Sequence, residues 1–196
     1  MLSFDLYKEI FRNLEFHNKI RFKQICKKLD TELEITDFCN IHYKYLKKLD
    51  NQIIANYNQI EKLNTHSNKI NNIGHLTKLK VLYCNTLINN NDVKNLDLLK
   101  LNVNGEKNVT YVFNSSEITN INHMTKLKVL FCPNYSNLTN EGINKLNLTK
   151  LIVNHNTKIK DISHKNNLKF SIWSYVKYYL YLYYYLHTVL LLNINF

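Results

Sequence analysis

The sequence predicts an α+β chain in which a small N-terminal helical module leads into a short solenoid of stacked repeats with parallel strands on its concave face. Three observations lead there. The segment His75-Leu-Thr-Lys-Leu-Lys-Val-Leu-Tyr-Cys84 returns 48 residues later as His123-Met-Thr-Lys-Leu-Lys-Val-Leu-Phe-Cys132, and self-similarity at a fixed offset is the mark of a repeat array. The first forty residues carry apolar side chains at helical spacing. The composition, 45% hydrophobic and 21% charged over 196 residues, is near the globular average and disfavours disorder, collagen and a many-span membrane protein.

In chain order, residues 1–40 form the helical module. Leu6, Ile10 and Leu14 recur every four residues behind Asp5, a plausible N-cap, which predicts an amphipathic first helix. Ile20, Phe22 and Ile25 belong to a second helix over Asn18–Cys26, and Leu29, Leu33 and Ile35 to a third that ends near Phe38. Residues 41–59 read as a helical linker or cap.

Residues 60–170 hold five or six repeats of the form apolar-x-x-Leu-x-Val-x-x-Cys or Asn. The template fits Ile60-Leu63-Thr65, Leu76-Leu79-Val81, Leu98-Leu101-Val103, Met124-Leu127-Val129 and Leu148-Leu151-Val153, with a degraded sixth near Lys165 carrying Leu168 and Phe170. Alternating apolar positions put two side chains of each short strand on one buried face, which stacking completes. Cys84 and Cys132 then turn inward after the strand. Leu138–Leu146 reads as a short helix capped by Asn140, and Leu87–Leu96 as a weaker copy capped by Asn91 or Asp92 with Val93 and Leu96 inward. Residues Lys107 to Ser116 are an insertion, read as a loop or an extra strand.

This pattern resembles the leucine-rich repeats, and the run Leu138-Thr-Asn-Glu-Gly-Ile-Asn-Lys-Leu146 is similar to the helix of their cysteine-containing type. The N-terminal residues Leu2, Asp5, Leu6, Glu9, Ile10, Phe11, Leu14, Ile20, Phe22, Ile25, Cys26 and Lys27 resemble an F-box, with Ser3 where that family usually has Pro and Leu29 near its Trp. An F-box followed by leucine-rich repeats is similar to the substrate receptors of cullin-RING (SCF-type) ubiquitin ligases. That resemblance implies a non-catalytic adaptor, cytoplasmic or nuclear, whose module docks by apolar contact on the ligase's linker subunit, and through it the cullin. Leu2, Leu6, Ile10, Phe11, Ile20 and Ile25 would supply the docking surface or its support. The rival expectation is a plain protein-interaction scaffold with no ligase connection, its helical module a cap for the solenoid.

The third template position is Lys in all five units: Lys62, Lys78, Lys100, Lys126 and Lys150, with Lys80 and Lys128 two residues on from Lys78 and Lys126. They are expected to stack about 5 Å apart as a basic ribbon on the concave face. Neighbouring ammonium groups at that distance repel by about 1 kcal/mol in water, so the ribbon would favour an acidic or phosphorylated protein segment. Lys is equally the default solvent-facing residue of this chain, with 26 Lys plus Arg against 15 Asp plus Glu.

Other chemistries are poorly supplied. Gly74, Gly105 and Gly142 lie far apart, and no phosphate loop, nucleophile elbow or zinc-protease motif is present, so neither an enzyme nor a bound cofactor is expected. The histidines His66, His75, His123, His155 and His164 lack ligand spacing, and no metal is assigned. Arg occurs only at Arg12 and Arg21, so specific nucleic-acid recognition is not expected, although phosphate affinity at low salt is. The four cysteines form no C-x-x-C pair and no cleavable signal peptide is read at the start, both expectations of a reducing compartment. Residues 171–196 are a hydrophobic, Tyr-rich tail open to three readings: a membrane anchor or membrane-surface helix, a cap on the solenoid, or an out-of-frame extension.

Overall fold

A computed structural model describes residues 4–39, 41, 43–46, 48–65, 69–84, 87–103, 116–133, 136–154, 158–160 and 168–172, with backbone alone at 43, 44, 133, 154 and 169–172. Leu2, residues 107–115 of the insertion and the tail beyond Ile172 lie outside them. Three helices come first: α1 (Phe4–Asn13), α2 (Phe16–Lys23) and α3 (Lys27–Glu32). The chain then enters β1 (Asp37–Phe38), so the third helix ends well before Phe38. The β-branched run Ile35-Thr36 before Asp37 and Phe38 suits a strand that can pair with a neighbour, and pairing outweighs the helical spacing of the leucines. Residues 41–59 contain α4 (Tyr43–Leu46) and α5 (Asn51–Ala55).

The remaining strands are β2 (Lys62–Asn64), β3 (Val81–Tyr83), β4 (Lys100–Asn102), β5 (Val129–Pro133), β6 (Lys150–Asn154) and β7 (Lys169–Ile172), with α6 (Asn90–Val93) before β4 and α7 (Asn140–Ile143) before β6. All seven strands form one parallel sheet in chain order. Each strand is added beside its predecessor, so the sheet is an open stack compatible with a solenoid-like repeat.

The register revises the phase of the repeat. Phe38, Leu63, Leu82, Leu101, Leu130, Leu151 and Phe170 pair in a single column. Leu82 and Leu130 therefore occupy the place expected for Leu79 and Leu127, three residues earlier. The cause lies in the sequence: Leu76, Leu79 and Leu82, like Met124, Leu127 and Leu130, are spaced by three, so a three-residue slip leaves every template position apolar. Five of the column's leucines are wholly buried, as are Thr65, Cys84 and Cys132 in the next inward column.

Correct phasing exposes a larger unit. Ile70, Ile73, Leu76, Leu79, Leu82 and Cys84 are all buried, and Ile118, Ile121, Met124, Leu127, Leu130 and Cys132 repeat them. These coils reach their strand through tight turns every third residue, with backbone bonds such as Leu76 N to Ile73 O and Leu79 N to Leu76 O. The coils before β2, β4 and β6 instead use the short helices α5, α6 and α7. Turn coils and helix coils alternate, so the repeating object is a pair.

Pairs are joined by asparagine. Asp50, Asn89 and Thr139 cap the three helices, and the residue after each cap is Asn. Asn51 Oδ1 accepts from the backbone N–H of Asn71 and Asn72, Asn90 Oδ1 from Thr119 and Asn120, and Asn140 Oδ1 from Lys160. Each helix coil thus accepts from backbone donors of the turn coil that follows. The caps expected at Asn140 and at Asn91 or Asp92 fall one to three residues earlier, because Asn140 is spent on the neighbouring coil and Asp92 closes a capping box on Asn89.

Where α7 passes the turn coil before it, Gly142 leaves no room for a side chain: a Cβ there would overlap the Thr119 carbonyl oxygen, while at Gly74 the nearest atom, Asp92 O, is 3.5 Å away. Gly142→Ala should destabilise the protein by about 1–3 kcal/mol through overpacking, and Gly74→Ala should lie within about 1 kcal/mol of wild type. Urea unfolding followed by circular dichroism distinguishes the two.

Candidate functional site

Two exposed surfaces could bind a partner. The first is the open face of the sheet, where residues flanking the buried leucines point to solvent. One row across the strands reads Lys62, Val81, Lys100, Val129 and Lys150. The row two residues further on reads Asn64, Tyr83, Asn102, Phe131 and Ile152.

The expected ribbon of stacked lysines is not what forms. Lys62, Lys100 and Lys150 do share a row, but Val81 and Val129 separate them. Lys78 and Lys126 lie before their strands, displaced by the three-residue phase shift, and Lys80 and Lys128 immediately precede β3 and β5. Several of these charges are answered from the preceding coil. Lys62 pairs with Asp37 at 3.0 Å, Lys80 with Glu61 and Lys126 with Asp97 at 3.3 Å, while Lys78 bonds to the Gln59 side chain. Exposed pairs of this kind contribute about 0.2–1 kcal/mol each, enough to remove the mutual repulsion that a bare ribbon would carry. The hydrogen bond and charge of Asp37 hold the Lys62 ammonium above its ordinary pKa.

The half of the face built from β3 to β6 is different. Lys100 Nζ donates to the Tyr83 hydroxyl at 2.9 Å and lies 5.1 Å from the Tyr83 ring centre and 5.5 Å from that of Phe131. The two rings stand on the strands either side of β4 and grip the ammonium between them. Tyr83 and Phe131 carry no motif of their own in the sequence. Their matched positions in the 48-residue repeat were the available signal, since a shared offset places them on alternate strands with one residue between.

The second surface is the helical module. Its interior is aromatic: Phe22 packs against Tyr7 and Phe11, each at 6.1 Å, and Phe16 meets Phe38 of β1 edge-on at 5.0 Å. Leu29 is buried with Phe11. Of the residues expected to dock a partner, Phe11 is therefore internal support, Ile10 is half-buried, and Ile25, Leu6 and Ile20 are 69%, 42% and 37% exposed. A cavity of about 600 Å³ opens where the module meets the sheet, lined by Arg12, His17, Asp37 and Tyr45 among others. Among the described residues no group of His, Cys, Asp or Glu could hold a metal ion, and no helix is long and apolar enough to cross a membrane.

The thiols show how deep the core runs. Burial pushes the pKa of Cys84 and Cys132 strongly upward and that of half-buried Cys39, which also faces Asp37, up to about 12 from 9.0. Cys26 is exposed. Alkylation at pH 8 should therefore modify Cys26 readily and the other three only after unfolding, as mass spectrometry of the labelled chain would show. Because the folded state favours the protonated thiols, their contribution to stability is complete below about pH 9 and fades as pH rises from there toward 12. Comparison with known proteins finds no matching family model, no matching curated protein and no matching solved structure.

Proposed function

We propose that the chain is a non-catalytic substrate adaptor of an SCF-type cullin-RING ubiquitin ligase, with an F-box-like module docking the linker subunit and the concave face of leucine-rich repeats holding a protein substrate. The observation that carries this reading is the exposure of the module's apolar side chains. A helical cap serving only the solenoid would turn its large aliphatic residues inward. Here Phe11, Leu29 and Leu33 do so, while Ile25, Leu6 and Ile20 face solvent at the positions that match the F-box pattern. They are three of the five large hydrophobic residues exposed among the described residues, Leu87 and Leu99 of the repeats being the others, and a partner that covered them would remove apolar surface from water.

The rest of the chain supports an adaptor. The sheet starts at β1, directly after α3, so a partner on the helices is held at a fixed distance from anything on the sheet face. The Phe16–Phe38 contact stiffens that junction.

The test is capture of the linker subunit and cullin from eukaryotic lysate by tagged full-length protein. Point substitutions are preferable to removing residues 1–40, because Ile35 and Phe38 belong to the core. Leu6→Asp with Ile25→Asp should abolish capture and change stability by less than about 1 kcal/mol, since exposed substitutions each cost within about 0.5 kcal/mol. Phe11→Asp should unfold the module. Capture undiminished in the folded double variant would leave the rival reading, an interaction scaffold outside any ligase.

A further inference from the structure

Resting on the reading of the sheet face as a substrate surface, we propose that the β3–β6 half of that face binds an extended protein segment that presents an acidic, an apolar and an acidic side chain in turn on one face. Its first carboxylate would be received by Lys100, its apolar side chain by Val129 and Phe131, and its second carboxylate by Lys150.

Charge distribution on the sheet carries the argument. Acidic side chains sit where the face begins and along the turns, and there they are matched: Asp37 with Lys62, Glu61 with Lys80, Asp97 with Lys126. No acidic residue stands on β3, β4, β5 or β6. Lys100 and Lys150 are therefore cations with no carboxylate within ion-pair distance among the described residues, in a surface otherwise made of Val81, Tyr83, Asn102, Val129, Phe131 and Ile152. These side chains are mostly apolar and none carries a negative charge, so complementarity asks for an anion beside apolar groups.

Lys100 is preorganised for that task. A free lysine side chain loses rotamer freedom on binding, which weakens its use as a receptor. Here the Tyr83 hydroxyl and two aromatic rings already hold the ammonium, and only one of its three N–H donors is used on Tyr83. The remaining two can donate to a carboxylate without reorganisation. Strands in a sheet are about 4.8 Å apart, so Lys100 on β4 and Lys150 on β6 stand about 10 Å from one another with Val129 of β5 midway. Side chains on one face of an extended segment recur every second residue, about 7 Å apart, so a segment running obliquely across the strands brings an acidic, an apolar and an acidic residue to the sheet together when they stand at alternate positions.

The same geometry disfavours single-stranded nucleic acid. Base stacking needs open ring faces, and the faces of Tyr83 and Phe131 toward β4 already hold the Lys100 ammonium.

The test uses the full chain and fluorescence anisotropy with a labelled acetyl-Gly-Asp-Ser-Leu-Ser-Asp-Gly amide peptide, whose Asp, Leu and Asp share one face when extended, its Asn-for-Asp and Gly-for-Leu counterparts, and a labelled twelve-residue oligothymidine. The acidic–apolar peptide should bind saturably and at least tenfold more tightly than either counterpart. Lys100→Gln should weaken it about tenfold and Lys100→Arg less than threefold. Lys78→Gln, outside the rows, should leave it within twofold. Circular dichroism verifies that each variant is folded, and Phe131→Leu gives a second route, with an expected loss of at least threefold. Equal binding of the Asn-for-Asp peptide, no effect of Lys100→Gln, no binding of any peptide, or tighter binding of the oligothymidine would each overturn the proposal. Linker-subunit capture through Leu6 and Ile25 is read separately, so the adaptor reading can stand when this one fails.

Discussion

The constraint on which the structure rests is that no coil can satisfy itself. A strand of three residues has backbone donors and acceptors on both edges, and one inward leucine has no partner within its own coil. Both needs are met only by the coils before and after. Lining up Phe38, Leu63, Leu82, Leu101, Leu130, Leu151 and Phe170 in one column fixes the register of every strand, and a one-residue slip would turn the leucines into water. The chain between strands is free to vary, provided it returns to that column: 19 residues separate Leu63 from Leu82 and Leu82 from Leu101, and 29 separate Leu101 from Leu130. Turns, short helices and the insertion are alternative ways back.

Much of this was legible in the residues. The recurrence of His75–Cys84 at His123–Cys132 announces a repeat, and the alternation of apolar positions announces short strands buried on one face. What could not be read was phase, because leucines spaced by three fit the template in two settings, and only backbone pairing between coils chooses one. That ambiguity propagated to the surface. With the frame displaced, Lys78 and Lys126 looked like neighbours of Lys62, Lys100 and Lys150, and the ion pairs with Asp37, Glu61 and Asp97 stayed hidden because each joins residues 19 to 29 apart. Asparagine is abundant in this chain. Asn51, Asn90 and Asn140 show that part of it is structural, since an amide placed just after a helix cap can accept two backbone N–H groups from the adjoining coil.

The helical module reconciles two demands placed on one small body. It must close the first strand against water, and Phe16, Phe11 and Leu33 do so from within. It also leaves part of the Ile25, Leu6 and Ile20 side chains open to solvent, Ile25 most of all. The division between inner aromatics and outer aliphatics lets one surface be changed without disturbing the other.

The nearest-neighbour plan of the stack also sets how it responds to force. Every hydrogen-bonded strand pair in the sheet joins consecutive coils, and each asparagine bridge ties a coil to the one after it. Pulled along the stacking axis, such a chain has no single contact whose rupture releases the whole. Coils yield one at a time, each surrendering about one strand's worth of bonds and one inward residue of the column. The molecule is therefore compliant in the manner of a spring with many equal links, and a partner gripping the sheet face across several strands would stiffen it by tying together coils that otherwise yield one at a time.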